Sequence, residues 1–306
     1  MTIRPAHTPY DGTSKPFTIG LKPIGFDCWI EVDAHYPAYL EEKRRLYAET
    51  PEKVFVAEPD TRDAQQEVLD LIGEHLHRYF PSLSATPMPA PAATPQASPG
   101  DLANHPLYPA SLLIQEDLIL MRRGKDGWRL AAGSLCFPSS WSLQEKFGKS
   151  LEQIHVPVPG FGPGSRPDLL ISRMFDALQP DQLMERFNWS IQAGDALYLP
   201  LSNEARDERA ASRPSKFPDG NIAARAFIRI ERQTLRKLPA THDILFTIRI
   251  HLDPLNVLEK HPERASLASS FAAQLATLDA GQLDYKGMTA DRDRLVEHLL
   301  SMTRNN

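Results

Sequence analysis

Residues 111–137 contain the pattern that most constrains the fold of this chain. Two apolar runs, SLLIQEDLILMRR and WRLAAGSLCF, flank the sequence Gly-Lys-Asp-Gly. Strand-like runs on either side of a short glycine-bearing turn are typical of an antiparallel hairpin. The chain is therefore expected to fold around an antiparallel sheet.

Other segments are predicted to supply further strands, namely CWIEVD (28–33), ALYLPL (196–201), ARAFIRIERQTL (224–235) and DILFTIRIHL (243–252). The last two are expected to pair. Side chains alternate across a strand with a period of two. On this basis Ala226, Ile228 and Ile230 oppose Arg229 and Glu231. The sequence predicts one apolar face of the sheet and one face that mixes aromatic, cationic and acidic groups.

Helical periodicity appears at residues 36–50 and 61–79, and two amphipathic helices are predicted within about 262–303. Ser142 with Glu145, and Ser150 with Gln153, have the spacing of capping boxes that open helices. Residues 82–110 are dense in proline and are predicted to be a surface excursion within one domain spanning 1–306. The predicted class is α+β, with helices flanking an antiparallel sheet.

Composition excludes several classes of protein. Hydrophobic residues at 42% and charged residues at 24% are typical of a globular chain. No run of about 18 apolar residues and no secretory leader is present, so we expect a cytoplasmic protein without membrane partners. A net charge of −5 argues against nucleic acid as a partner. Cys28 and Cys136 are interpreted as reduced core thiols.

The sequence lacks a P-loop, a GxGxxG turn, an HExxH helix and a GxSxG elbow. His155, in SLEQIHVPVPGF, is the sharpest candidate for chemistry. Pro157 and Pro159 stiffen the chain after it, and Ile154, Val156, Val158 and Phe161 offer the apolar surround that a haem iron with one histidine ligand requires. The residues alone favour the simpler interpretation, a histidine that is hydrogen-bonded within a proline-rich loop.

Arg229 and Glu231 lie two residues apart in a predicted strand and therefore share a face. They are either a solvated charge pair or a functional pair in which Arg229 binds an anion and Glu231 binds a cationic substrate or a proton. The remaining candidates His242, His251, His261 and His298 have no partner at ligand spacing. We interpret them as surface or capping residues.

Several segments in fixed order resemble the haem-binding α subunit of haem-dependent oxidative N-demethylase. The matching segments are GLKPIGFDCWIEVD, IQEDLILM, AAGSLCFPSSWSLQEKFGKSLEQIHVPVP, FNWS, RIERQTLRKLP, ILFTIRIHLDPL and YKG. The block from CFPSSW to IHVPVP is the most specific, because a tryptophan, a helix and a proline-flanked histidine follow one another in it.

The resemblance implies a PAS-like sheet that holds a non-covalent b-type haem, with His155 as the iron ligand. It implies oxidation of a small, dimethylamine-like methylated amine by O₂ with release of formaldehyde. Electrons would come from NADPH through the FMN and 2Fe-2S centres of a separate reductase subunit. Arg229, Arg225 and Arg173 are the candidates for the haem propionates, Val158 for haem contact, and Glu231 for substrate binding. The alternatives are a haem sensor or haem-binding protein without demethylase activity, and an interaction subunit without a cofactor.

Overall fold

A seven-stranded antiparallel sheet forms the centre of the fold in the part of the chain that the structure, a computed structural model, describes, residues 4–84 and 102–304. Its spatial order is β1-β5-β6-β7-β3-β4-β2. The strands are β1 (Lys22–Pro23), β2 (Phe55–Ala57), β3 (Asp117–Gly124), β4 (Gly127–Ser134), β5 (Leu183–Ala193), β6 (Ala226–Lys237) and β7 (Ile244–Pro254). The α+β class with an antiparallel sheet is confirmed.

Helices flank this sheet on both sides. They are α1 (Tyr36–Glu49), α2 (Pro51–Val54), α3 (Arg62–Tyr79), α4 (Pro81–Ser84), α5 (Leu107–Ser111), α6 (Leu143–Lys146), α7 (Leu151–His155), α8 (Arg166–Ala177), α9 (Asn203–Ser212), α10 (Ile222–Arg225), α11 (Arg264–Ala276), α12 (Ala280–Lys286) and α13 (Arg292–Ser301). Short 3₁₀ helices cover Phe26–Cys28, Pro59–Thr61 and Leu255–Lys260. Each helix of the described ranges is too short or too polar to cross a membrane.

The predicted hairpin is present. Strands β3 and β4 pair from Leu118 with Ser134 to Gly124 with Gly127, and the intervening turn is Lys125 and Asp126. Gly127 has a φ of +102°, a conformation that side chains with a Cβ rarely adopt. The glycine therefore closes the turn at the position where the hairpin requires it.

Two predicted strands are absent, and one long strand was missed. Residues 28–33 begin at the last residue of a 3₁₀ turn and have no strand structure, and residues 196–201 contribute only an isolated bridge between Leu199 and Ser139. Strand β5 was missed, although its polar Arg186, Asn188 and Ser190 alternate with apolar neighbours and so show the period of two. The polar set faces a cavity.

The prediction of one apolar and one mixed sheet face is also wrong. The register between β6 and β7 pairs Ile230 with His251, and Glu231 with Ile250. Residues that pair directly across an antiparallel ladder point to the same face. Each face therefore carries both apolar and charged side chains, because the apolar sets of the two strands are offset by one residue.

Buried apolar side chains form two clusters in the described residues. The main core joins Trp29, Leu46 and Ile72 of the N-terminal part to β3, β4 and β7. The C-terminal core joins Trp189 and Ile228 of β5 and β6 to residues of α11, α12 and α13. The sheet runs through both clusters, so the C-terminal helices are attached to the same strands that carry Glu231.

Other predictions have mixed outcomes. Of the proline-rich segment at 82–110, residues 85–101 lie outside the described residues, whereas Leu107 and Ala110 are buried in the main core. A third helix, α12, separates the two that were predicted at the C-terminus. Cys136 is buried as expected, but Cys28 is exposed because its 3₁₀ turn buries no side chain.

Candidate functional site

A cavity of about 510 Å³ lies against the sheet face that carries Glu231, between the sheet and the segment containing α6, α7 and α8. Its volume falls within the range of roughly 300–1,000 Å³ that small-molecule and cofactor sites occupy. The walls are mainly apolar and include Phe137, Trp141, Leu151, Phe161, Phe175 and Ile248.

His155 lines this cavity as the last residue of α7. The helix begins with the predicted capping box: the Ser150 hydroxyl accepts from the Gln153 backbone N–H at 3.3 Å, and the Ser150 N–H donates to the Gln153 side chain at 3.0 Å. The Val158 N–H donates to the His155 carbonyl at 2.8 Å. The imidazole is therefore mounted between a capped helix start and a closed turn that continues into Pro159.

The imidazole of His155 is largely enclosed and has an unused nitrogen. Its Nδ1 is buried and has no hydrogen-bond partner among the described residues. Burial, and then the positive charges of Lys146 and Arg186, lower the pKa of His155 to about 4. The Leu151 carbonyl, one helical turn earlier, acts in the opposite direction and raises the pKa of His155. It lies outside normal hydrogen-bond geometry for His155 Nδ1. The side chain is neutral at pH 7, the form in which imidazole binds a metal.

The predicted apolar surround of His155 is present in large part. Ile154, Val158 and Phe161 line the cavity, and the Phe161 ring centroid lies 6.2 Å from that of His155. Val156 points away from the cavity and has 55% of its surface exposed. The segment after α7 therefore presents Val158 and Phe161 to the cavity and Val156 to solvent.

Cationic side chains converge on the cavity from several elements. The described lining includes Lys146, Arg186, Arg209, Lys216 and Lys286. None of these five makes an ion pair with a carboxylate among the described residues, and most of their hydrogen bonds go to backbone carbonyls. Unpaired cations in a largely apolar cavity favour an anionic ligand.

Burial changes the proton affinity of these lysines. It lowers the pKa of Lys216 to about 7, with further lowering by Arg209 and Lys286. It lowers the pKa of Lys286 to about 8, against the opposing charge of Glu231, and that of Lys146 to about 8. An anion in the cavity would raise each of these pKa values, because it favours the charged form.

Glu231 is the sole acidic side chain in the described lining. Its Oε2 accepts from the Asn188 amide at 3.3 Å and from the Gln233 amide at 3.0 Å. Burial and the nearby charge of Glu231 raise the pKa of Tyr285 to about 12, so its phenol stays protonated. The carboxylate is held in place by neutral donors and has a fixed orientation.

The arginines singled out in the sequence do not line the cavity. Arg229 is fully buried behind the wall, where it donates to the Phe137 carbonyl at 2.6 Å and to the Leu197 carbonyl and Gln192 side chain, each at 3.3 Å. Arg173 is exposed on α8, because that helix buries Ile171 and Phe175 instead. Arg225 is half-exposed and pairs with Asp219 at 3.1 Å.

The structure thus brings His155, Val158 and Glu231 together and separates them from the predicted arginines. The cationic lining was missed, although two of its members lie in motifs already singled out: Lys146 in the block from CFPSSW to IHVPVP and Lys286 in YKG. The same motifs and FNWS also supply Trp141, Asn188, Ser190 and Tyr285 to the lining. Membership of these motifs was the signal that could have found them.

The lining matches the chemistry of one kind of cofactor. An apolar body suits the aromatic and aliphatic walls, anionic groups at its edge suit the unpaired cations, and a metal ion suits the neutral imidazole of His155. Glu231 is the one carboxylate in the described lining, so a small cationic molecule would bind beside it. The residues present therefore fit a metal-containing, carboxylate-bearing cofactor with a small cationic co-ligand.

One comparison with known proteins gives a match. A family model described as haem-dependent oxidative N-demethylase, alpha subunit-like, matches residues 20–296. The matched range includes every lining residue of the cavity from Leu21 to Lys286.

Proposed function

The chain belongs to the haem-dependent oxidative N-demethylase, alpha subunit-like family, and from this premise we propose that it binds haem in the cavity beside His155. The proposed activity is the O₂-dependent oxidation of a small methylated amine with release of formaldehyde. The observation that carries the proposal is the neutral His155 imidazole, with a buried unpartnered nitrogen, facing an apolar cavity lined by unpaired cations.

His155 is the proposed iron ligand. When bound, haem supplies the redox chemistry that activates O₂. The protein contributes a stiff mount for the imidazole, through the capping box of α7 and the Val158 to His155 turn. A buried ligand that is already neutral does not have to release a proton before it binds iron.

Arg186 and Arg209 are proposed to bind the haem propionates in place of Arg173 and Arg225. Both guanidiniums line the cavity, which that of Arg229 does not, although all three have a buried Nε without a partner in the described structure. Guanidinium binds carboxylate through two parallel hydrogen bonds. Arg229 is proposed to position the wall instead, because it already donates to three protein acceptors.

Glu231 is proposed to bind the protonated amine. It is the single acid in the described lining, and an ion pair enclosed in a cavity is much stronger than one in water. Asn188 and Gln233 donate to one carboxylate oxygen, which leaves the other oxygen for the substrate. The apolar walls exclude water from the same space.

Electron supply is proposed to come from partner subunits. The family is that of an alpha subunit, which implies further subunits. We propose a reductase partner that carries electrons from NADPH through FMN and a 2Fe-2S cluster. The finer fold assignment, a PAS-like sheet in a single haem-binding domain of a cytoplasmic protein, belongs to the same proposal.

Reconstitution with haem tests the role of His155. The wild-type chain is expected to develop a Soret band with one haem per chain, and His155→Ala is expected to lose the spectrum of histidine-ligated iron while keeping its far-UV circular dichroism. His77→Ala, which removes an exposed histidine of α3, serves as the control. Unchanged colour in a folded His155→Ala variant would refute the ligation.

Glu231→Gln tests the substrate-binding role. Loss of the charge is expected to raise KM for the methylated amine by roughly 10- to 100-fold, because a hydrogen bond to a charged group contributes about 1.5–3 kcal/mol. The haem spectrum should stay that of the wild type. Formaldehyde release is measured with dimethylamine and an added electron donor. The exposed Glu297→Gln is the control.

Two results would change the assignment. Reduced wild-type protein that binds O₂ and CO but releases no formaldehyde from any methylated amine would favour a haem sensor. A Glu231→Gln variant with unchanged KM would move the substrate away from this carboxylate.

A further inference from the structure

His7, Glu31 and His251 form a compact side-chain cluster away from the cavity. The His7 Nε2 atom lies 2.9 and 3.1 Å from the two Glu31 carboxylate oxygens, and the His251 Nε2 atom lies 2.9 Å from Oε2. One ligand-type atom of each residue falls within 4.8 Å of those of the other two. Each imidazole therefore directs its Nε2 atom at the Glu31 carboxylate.

The cluster is assembled from segments that are remote in sequence. His7 lies before β1, Glu31 follows the first 3₁₀ turn, and His251 lies in β7. His251 pairs with Ile230, so it points to the sheet face opposite to that of Glu231 and the cavity. The proposed haem site and this cluster are consequently separated by the sheet.

The surroundings of the cluster are rich in carboxylates. His251 Nδ1 lies 4.0 Å from Asp33, and Asp253, two residues along the same strand face, has a buried Oδ2 without a partner in the described structure. Arg232 lies 3.4 Å from Glu31 and 2.6 Å from Glu185, and Arg249 lies 2.6 Å from Asp33.

The charges around the cluster do not cancel. Arg232 and Arg249 contact three of the nearby carboxylates, those of Glu31, Asp33 and Glu185, whereas the buried Oδ2 of Asp253 has no partner in the described structure. Carboxylates therefore outnumber guanidiniums here, which favours a bound cation.

We propose that His7, Glu31 and His251 bind a divalent transition-metal ion, with Zn²⁺ the best match to the donors. Two imidazole nitrogens and one carboxylate are a common ligand set for zinc and leave a fourth position for water. Ligand atoms about 2.0–2.2 Å from one tetrahedral ion lie roughly 3.3–3.6 Å apart. The imidazole-to-carboxylate separations of 2.9 and 3.1 Å would lengthen slightly on metal binding, and the ligand atoms of all three residues already lie within 4.8 Å of one another.

The other ring nitrogen of His251 faces a carboxylate. A histidine that binds metal through Nε2 commonly has Nδ1 directed at a carboxylate or carbonyl, which fixes the ring. The Nδ1 atom of His251 lies 4.0 Å from Asp33, beyond direct hydrogen-bond distance, and Arg249 holds the Asp33 carboxylate at 2.6 Å. The Phe187 ring, 4.7 Å from that of His7, packs against the more exposed imidazole.

Such a metal would attach the N-terminal segment to the sheet. His7 and Glu31 belong to neither a helix nor a strand, whereas His251 is fixed in β7. A metal that binds the folded chain and not the unfolded chain stabilises the fold, and the stabilisation grows with the logarithm of the free metal concentration above Kd. The expected rise in thermal stability is independent of the haem-binding proposal.

Metal titration of the full-length chain tests this inference. Protein treated with a chelator is titrated with Zn²⁺ and separately with Co²⁺, and bound metal is counted per chain by elemental analysis, with iron counted separately. The expected result is one tightly bound Zn²⁺ per chain, a raised melting temperature, and the visible absorption of nitrogen-ligated Co²⁺. The measurements are made with and without haem, and should agree.

Two variants assign the ligands. His7→Ala and Glu31→Gln are each expected to lower Zn²⁺ affinity by at least about 100-fold and to abolish the rise in melting temperature, because each removes a direct ligand, whereas altered supporting residues alone cost about 10–100-fold. His77→Ala, an exposed histidine of α3, should leave both unchanged.

The opposite results would overturn the proposal. If the wild-type chain binds no Zn²⁺ saturably, or if His7→Ala and Glu31→Gln bind as tightly as the wild type, the cluster is a hydrogen-bonded charge network only. His7 is part-exposed and outside the regular elements, so its variant keeps the sheet intact and a loss of binding is not a loss of fold.

Discussion

At the scale of single residues, the neighbours of His155 decide what it can do. The sequence pointed to this imidazole through its flanking prolines, but a histidine in a proline-rich loop has a simpler structural interpretation. Lys146 and Arg186 lie near enough to contribute to the low pKa of the ring, and neither was predicted. Residue identity selected the candidate, whereas its electrostatic surroundings came from segments distant in sequence.

Lys216 leads to a prediction about pH. Its pKa of about 7 in the free cavity lies far below that of an ordinary lysine, and an anionic ligand favours the charged form. Binding of haem should therefore take up a proton, and haem affinity should fall as pH rises through about 7 to 9. Haem titrations across that range, and calorimetry in buffers of different ionisation enthalpy, measure both effects.

Lys216→Met provides the matched variant for this prediction. It removes the titrating amine and should flatten the dependence of haem affinity on pH, leaving the smaller contributions of Lys146 and Lys286, each with a pKa of about 8. Wild-type affinity that does not vary between pH 6 and pH 9 would contradict the expected coupling.

At the scale of elements, the two predicted capping boxes had different outcomes. The Ser150 and Gln153 box is present, with both reciprocal hydrogen bonds. At Ser142 no side-chain cap forms; its hydroxyl instead donates to Gln144, and Glu145 accepts from the Asn203 backbone N–H at 3.0 Å. The sequence spacing is the same, but a tertiary partner took the Glu145 carboxylate.

Ser150→Ala should destabilise the protein by about 1 kcal/mol, the usual cost of losing an N-cap side chain. It should also weaken haem binding, because α7 has five residues and His155 is its last. Urea unfolding measures the first effect and haem titration the second. Ser142→Ala is the control, since it removes no cap bond, and should change stability by no more than about 0.5 kcal/mol. Equal losses in both variants would mean that the cap does not support His155.

At the scale of the whole molecule, the sheet connects two clusters of buried side chains and two separate polar sites. Glu231 faces the cavity, whereas Arg232 on the neighbouring position faces the other side and contacts Glu185 and Glu31. One strand, β6, thus contributes to the proposed haem site on one face and to the proposed metal site on the other. Successive side chains of a strand point to opposite faces, so the adjacent residues Glu231 and Arg232 can contribute to the two different sites.

Phe271→Ala tests how the C-terminal helices contribute to the stability of the whole fold. The Phe271 ring stacks on Tyr10 with centroids 4.4 Å apart and meets the edge of Trp189 at 4.9 Å. The substitution should cost about 3–5 kcal/mol in the free energy of unfolding, because it leaves a cavity in a fully buried site. Chemical denaturation measures this cost. Leu300→Ala, exposed on α13, should cost far less; a similar cost in both would show that the C-terminal core contributes little.

The sequence by itself determined the class of the fold, the hairpin, the pairing of the last two strands, and His155 as the candidate ligand. Each of these follows from local pattern: alternation, turn residues, caps and the proline-flanked motif. The tertiary structure decided the relative offset of β6 and β7, the convergence of five lysines and arginines on one cavity, and the meeting of His7, Glu31 and His251. Local pattern carries no information about register, and a shift of one residue exchanges the faces of a strand. Which charged groups meet across distant segments is therefore decided only when the sheet is assembled.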